Sequence, residues 1–376
     1  MNYALAAASS FLLLAQQAWS QEINSVVPLS TQLLIATQEG VGHQSAQTIA
    51  KFSFLAKFYK HKGLAFDENK SLKDLAAELK QKGHLAEFVA FTNKTLEATP
   101  FKGALASKGM IRYLYLTQFL RSRSVPVDRK TSLAQLEQLV ADKGLTEEFD
   151  AFEKTKPRKL YYHFDGHHRS RGVVELNRAI AAVDPSVLPV KPAILMVDDF
   201  SDLSEKQVAQ KFKDMKKGYF LPDTLKRLAR EPASEREVLK LRNWVSNIED
   251  VPDYVARTLS GMFMNRNRIS SKKFVDYSQF LILEVASPKF KQLPPGTVVT
   301  DALIAEFEKD VFGDPKKVEG IAALAKDESQ KKSLRTELEI LHFEKRKQFG
   351  IKVPLAPEQG ILHQIIQAAD GIDLCK

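Results

Sequence analysis

The sequence predicts a helix-rich α+β protein: a part built of strands and helices, plus a helical bundle made of two repeats. Three observations predict it. Residues 49–95 and 110–156 carry apolar side chains at spacings of three and four, the pattern of amphipathic helices. These two stretches repeat each other. After residue 156 the period changes to strand, helix, strand.

The chain opens with "MNYALAAASSFLLLAQQAWSQE", which has no charged side chain before Glu22 and an apolar stretch from Ala4 to Ala15. Ala18 and Ser20 are small residues at the spacing a signal peptidase reads, so residues 1–20 read as a signal peptide cleaved after Ser20. The stretch is shorter than the roughly 20 residues of a membrane span, and Gln16 and Gln17 interrupt it. The expected location is therefore secreted or periplasmic. No transmembrane segment is expected in the mature chain.

The repeat aligns without a gap. "SLKDLAAELKQKGHLAEFVAF" lies over "SLAQLEQLVADKGLTEEFDAF", pairing Ser71 with Ser132, Leu75 with Leu136, Gly83 with Gly144, and Phe88 and Phe91 with Phe149 and Phe152. Upstream, Leu55, Phe58 and Asp67 fall on Leu116, Phe119 and Asp128. Each copy reads as a long helix, a loop, a helix capped by serine, a Lys-Gly stop and another short helix. Repeated units usually stack to bury a shared apolar face, so residues 52–156 are expected as one compact bundle with the aromatics in its core. A bundle of this kind also offers a surface to a protein partner.

Further on, "RKLYYHF" alternates as a strand, "RSRGVVELNRAIAAV" reads as a helix, and "VKPAILMVDDF" reads as a buried strand. Ser204 with Gln207 forms a capping box that opens the next helix. Residues 224–290 hold helical stretches broken at "DVPDY", and residues 291–376 read as a mostly helical C-terminal region. Cys375 is the only cysteine, which rules out an internal disulfide and a thiolate zinc site. Net charge is +9, a balance that favours nucleic acid, nucleotides or anionic surfaces as partners. Asn69 and Asn93 begin glycosylation sequons.

The chemistry concentrates in "YYHFDGHHRSRG", residues 161–172. Tyr162 and Phe164 would lie on one strand face, Tyr161 and His163 on the other. Asp165 is placed to cap a helix by accepting from the N–H of His167 or His168, and Gly166 permits close approach of a ligand or an unusual backbone angle. The first turn would then aim free N–H groups, His168, Arg169 and Arg171 into one volume that suits phosphate. Two other readings stay open. Asp-Gly is ordinary turn chemistry with side chains in water, and His163, Asp165 and His167 alternate as two imidazoles and a carboxylate would for a metal.

The strand, then "DGHHR", then a helix resembles the phosphate-binding box of the ParB and sulfiredoxin superfamily. The order of several blocks resembles the ParB-like nuclease family more closely. Tyr162, Asp165, His167 and His168 match its histidine block, and "ATQEGVGHQSAQTIAK" supplies Thr37, Gln38, Val41, Gly42 and Lys51. "DDFSDLSEKQVAQKFKDMKKGYFLP" supplies Asp199, Ser201, Leu203, Phe212, Met215, Gly218 and Tyr219, and "DVPDYVARTLSG" and "FVDYSQFLILEV" resemble its closing blocks. Gly166 replaces a frequent histidine, Phe200 a leucine and Tyr219 a tryptophan, and His167 stands where sulfiredoxin needs a cysteine. The resemblance implies a small mixed sheet with helices and divides the chain into a first block at 21–51, the duplicated helical bundle inserted at 52–156 and the core at 157–290.

The resemblance implies a nucleotide or nucleic acid at the helix start, and nuclease or phosphodiesterase activity. Arg169, Arg171, Lys51, Gly166, Gln38 and Gly42 would then bind phosphate. His167 or His168 would serve as general acid or base, with Asp165 orienting an imidazole. Asp198 and Asp199 at the next strand end are the candidate ligands for a divalent cation such as Mg, with a simple turn as the other reading. A non-catalytic module holding a nucleotide in the same pocket, or a partner protein on the helices, fits the same residues, as does a plain interaction protein.

Overall fold

The computed structural model describes residues 23–215, 232–274 and 292–349, apart from residues 39 and 129, together with Ile282 and Phe290. The signal peptide, Gly218, Tyr219, most of "FVDYSQFLILEV", and Cys375 lie outside the described residues.

Six short strands form one mixed sheet in the order β1-β5-β3-β4-β2-β6. They are β1 (Val26–Pro28), β2 (Leu34–Thr37), β3 (Phe101–Leu105), β4 (Tyr161–His163), β5 (Ala193–Asp199) and β6 (Val245–Asn247). β2 runs parallel to β4 and β3 parallel to β5, whereas β3 and β4 are antiparallel. The two parallel pairs therefore point their carboxyl ends in opposite directions.

Helices cover both faces. Helix α1 starts as His43–Ile49, passes through a π-helical stretch at Ala50–Leu55 and ends as Ala56–His61. With α2 (Leu72–Gln81), α3 (Leu85–Ala98) and α7 (His167–Val183) it packs on the face that carries Leu34, Ala36 and Tyr161. On the face of Ile35, Ala104 and Tyr162 lie α4 (Lys108–Ser122), α5 (Leu133–Asp142), α6 (Thr146–Lys154), α8 (Glu205–Asp214) and α9 (Glu235–Trp244). Adjacent strand residues point to opposite faces, which is why Tyr161 and Tyr162 enter different cores.

The two stretches that align in sequence share several local features. Ser71 and Ser132 each close a capping box with the residue three on, Asp74 and Gln135. Gly83 and Gly144 both take left-handed backbone angles, φ 73° and 66°, a conformation that glycine adopts at little steric cost. Ring pairs are matched as well: Phe58–Phe88 and Phe119–Phe149 are both 5.3 Å apart, Phe58–Phe91 and Phe119–Phe152 are 5.4 and 5.5 Å.

The expectation of a single inserted bundle is corrected here. Between the two copies the chain forms β3, which sits in the middle of the sheet and pairs with both β4 and β5. One copy packs on each face, so the apolar surface of each is buried against strands and not against the other copy. Local helical period could not show this. A five-residue strand after Pro100 leaves little mark in a helical stretch.

A third core is all-helical. It joins α10 (Val255–Arg266) to α11 (Asp301–Phe312), α12 (Pro315–Ala322) and α13 (Glu328–Gln348). This part meets the sheet through the loop after β2: Val41 pairs with Asp253, and Gln44 exchanges hydrogen bonds with the backbone of Val299. Among the described residues no helix is long and apolar enough to cross a membrane.

Candidate functional site

β2 and β4 are neighbours and parallel, so their carboxyl ends, Thr37 and His163, lie side by side. Helix α1 begins just after the first and α7 just after the second. In open sheets this is the position where ligands most often bind.

The turn into α7 is made by glycine. Gly166 is the N-cap, with φ +75°, and a Cβ there would lie 2.9 Å from the Phe101 ring. The sequence places this cap at Asp165, and the structure moves it by one residue. Asp165 is exposed and no side chain caps the helix, because the left-handed turn at Gly166 takes over the job of redirecting the chain. With Asp165 exposed, the reading of His163, Asp165 and His167 as a metal triad also loses its carboxylate.

His163 and His167 are fully buried, their rings edge to face at 4.5 Å. The other side of His163 meets Phe101 edge-on at 4.7 Å, and neither of its ring nitrogens has a hydrogen-bond partner among the described residues. His167 is held by the strand end beside it. Thr37 N lies 3.1 Å from Nε2, Thr37 Oγ1 3.3 Å from the same atom, and Gln38 Nε2 2.8 Å from Nδ1. Thr37 Oγ1 donates in turn to the carbonyl of His163 at 2.9 Å. His168 is partly exposed and its Nε2 accepts from the N–H of Gly42 at 3.3 Å.

Behind Gln38 stands Arg257, a residue that sequence reasoning missed. It comes from α10, is 1% exposed, and its Nη1 donates to Gln38 Oε1. Two glycines let α10 come this close. A Cβ on Gly40 would lie 2.7 Å from Tyr254 Cβ, and one on Gly42 would collide with Thr258 Oγ1.

Hydrogen-bond roles in this cluster do not balance. A guanidinium only donates, so Gln38 turns its oxygen to Arg257 and its NH2 to Nδ1 of His167. A neutral imidazole has one donor and one acceptor nitrogen. If Nδ1 accepts from Gln38, the ring proton sits on Nε2 and opposes the N–H of Thr37. If Nε2 accepts from Thr37, Nδ1–H opposes the NH2 of Gln38. In either tautomer one N–H lacks an acceptor among the described residues, an arrangement that an electronegative group relieves.

The electrostatics point the same way. Burial pushes the His168 imidazole down to about 3, helped by the charges of Arg257 and His43. Burial likewise takes His163 to about 3, with Arg169 adding to it. His167 falls well below the ordinary histidine range through burial, then through His163, Arg257 and His168. All three rings are neutral at pH 7, and the field of Arg257 reaches two of them.

The cations expected beside the histidines point elsewhere. Arg169 lies 4.2 Å over the Phe101 ring and donates through Nη2 to the carbonyl of Thr99 at 2.8 Å. Arg171 is buried, pairs with Glu175 at 2.8 Å and donates to the carbonyls of Ile248 and Glu249. Lys51 donates to the carbonyl of Glu68. Helical spacing turns Arg169 away from His168 and Arg171, which share a face at an interval of three, and the carbonyls of Ile248 and Glu249 draw Arg171 off.

The acidic pair after β5 is also spoken for. Asp198 pairs with Lys211 at 2.9 Å, and Asp199 accepts from the N–H of Ser201 at 2.8 Å, as in a strand-end turn. Among the described residues no three metal-ligating side chains gather. Of the residues expected in the site, the structure thus brings together Gln38, Gly42, His167 and His168. It adds Thr37, His163 and Arg257. Nothing in the local sequence marks Arg257 for this site, since Gln38 lies more than two hundred residues away along the chain.

No family model, curated protein or solved structure matches this chain.

Proposed function

We propose that this protein binds a phosphate-containing ligand, a nucleotide or a nucleic-acid end, where β2 and β4 deliver the chain into α1 and α7. The observation that carries the reading is the surplus donor of the Arg257, Gln38, His167 and Thr37 cluster. It sits beside two helix starts and within the field of a buried guanidinium, and phosphate oxygens are acceptors without protons to give. The likeness of residues 28–51 and 157–287 to the ParB-like nuclease family, and export of the chain, belong to the same proposal.

Binding is favoured over turnover. A general base works best with a pKa near the working pH, and His168 at about 3 is far below it. Phosphodiester hydrolysis is the second reading. A bound phosphate would draw the proton affinity of His168 upward, turning a silent imidazole into an acid or base only when ligand is present.

The test is a thermal-shift and hydrolysis panel of inorganic phosphate, mononucleotides and short oligonucleotides, with and without Mg. Wild type should melt higher with ligand, by mass action, and His168→Gln and Arg257→Met should lose that response. Metal-dependent cleavage lost in His168→Gln would favour the hydrolase. Absence of any shift across the panel would sink both readings.

A further inference from the structure

The repeat supplies its own template for a surface that one copy leaves open. Phe52 on α1 corresponds to Tyr113 on α4 at the offset that superposes Phe58 on Phe119. Their surroundings differ sharply: Phe52 is 45% exposed and Tyr113 is 4% exposed.

The difference has a clear cause in the chain order. On the Tyr113 side, α8 is followed by α9, whose Val238 and Leu241 join the same core and whose Arg242 guanidinium lies 5.7 Å from the Tyr113 ring. Arg242 is held there by Glu205 of α8 at 2.7 Å. On the Phe52 side, α7 leads directly into β5, and among the described residues no helix stands in the place of α9. The Phe52 ring meets Phe66 edge-on at 5.8 Å. Next to it, one turn back along α1, a groove of about 500 Å³ opens between α1 and α10, lined by Ser45, Thr48, Ile49, Thr258, Met262 and Ile304 among others.

We propose that this face of α1, with Phe52 and the neighbouring groove, docks an amphipathic helix of a partner protein. The apolar stripe of that helix follows α9, where Val238 and Leu241 stand three apart on the buried face. Its polar flank is acidic where α9 carries Arg242. The carboxylate that receives Arg242 has no counterpart on α7, whose first turn reads His167, His168, Arg169. The groove's own charges, Arg266 and Asp301, pair with each other at 3.3 Å, and between residues 43 and 61 α1 adds three lysines and no carboxylate. Asp67 and Glu68 lie in the loop beyond, where the backbone of Glu68 already engages Lys51.

The probe is a synthetic peptide of residues 233–245 and its Arg242→Glu form, titrated into the full chain carrying 4-fluorophenylalanine at position 52. The fluorine signal should shift on binding. The Arg242→Glu peptide should bind about threefold tighter at low salt, and Phe52→Asp should weaken both by about tenfold or more. Far-UV dichroism of Phe52→Asp, an exposed position, verifies folding.

Three results would overturn the proposal. One is no binding by either peptide up to about 1 mM, or equal binding by Phe52→Asp. Another is a dimer in light scattering that Phe52→Asp abolishes, which would make the face a contact between copies of this chain. The third is relaxation of the fluorine signal by a nitroxide on Cys375 in the free monomer, which would put the chain's own end on Phe52.

Discussion

At the carboxyl ends of β2 and β4 the polar side chains are His163, His167, His168 and Gln38, with Arg257 behind them. At the carboxyl ends of β3 and β5, on the opposite side of the sheet, they are Asp198, Asp199, Asp202, Lys108 and Lys211. Both ends follow the same plan, two parallel strands each leading to a helix. The second is closed by its own charges: Lys108 pairs with Asp202 at 2.7 Å and Lys211 with Asp198 at 2.9 Å. The first is built of buried rings and amides beside Arg257. Where charges pair with each other in open water, little is left for a ligand. A buried polar cluster keeps its donors out of water.

That contrast can be broken most forcefully at Arg257. Arg257→Met keeps much of the volume but removes the donor to Gln38, and it should cost about 2 to 4 kcal/mol in urea unfolding, since a buried polar partner is left stranded. An unchanged midpoint would mean that the cluster is not held through α10.

A smaller effect, and one with a sign, concerns pH. In the folded state His163 and His168 bind protons only near pH 3, against about 6.5 when unfolded. Between those values the unfolded chain takes up more protons, so stability is whole above about pH 6.5 and falls as pH drops toward 3. The slope is up to about 1.4 kcal/mol per pH unit for each ring, less for the partly exposed His168. His163→Phe should flatten this slope and raise the neutral-pH melting point modestly, because neither ring nitrogen has a partner among the described residues. A steeper slope in the variant would contradict the burial argument.

The smallest effect belongs to the other end. Lys108→Ala removes an ion pair whose side chains are mostly exposed, and it should change stability by less than about 1 kcal/mol, shrinking further in salt. A loss comparable to Arg257→Met would erase the distinction between the ends.

Much of this was legible in the chain. The serine caps at 71, 132 and 204, the strands near 161 and 193, and the helix from 167 follow from short-range rules of spacing and hydrogen bonding. What escaped was set by distant partners. β3 is a strand because β4 and β5 flank it, Arg171 is a pin because Ile248 and Glu249 turn carbonyls toward it, and Arg257 reaches Gln38 only through the close approach at Gly40 and Gly42. The misplaced cap at Asp165 had a local cause: Asp-Gly suits either residue, and packing of Gly166 against Phe101 decides.

The central position of β3 bears on how the chain is made. β2 leaves the ribosome early, yet its neighbour β4 follows only after both helical copies have been translated, a wait of about 6 to 25 s at ordinary elongation rates. β6, on its other edge, comes later still. Until then Leu34, Ile35 and Ala36 have no sheet to join, so the nascent protein presents a sticky edge that invites chaperones, and its refolding should be slow and sensitive to crowding by its own kind.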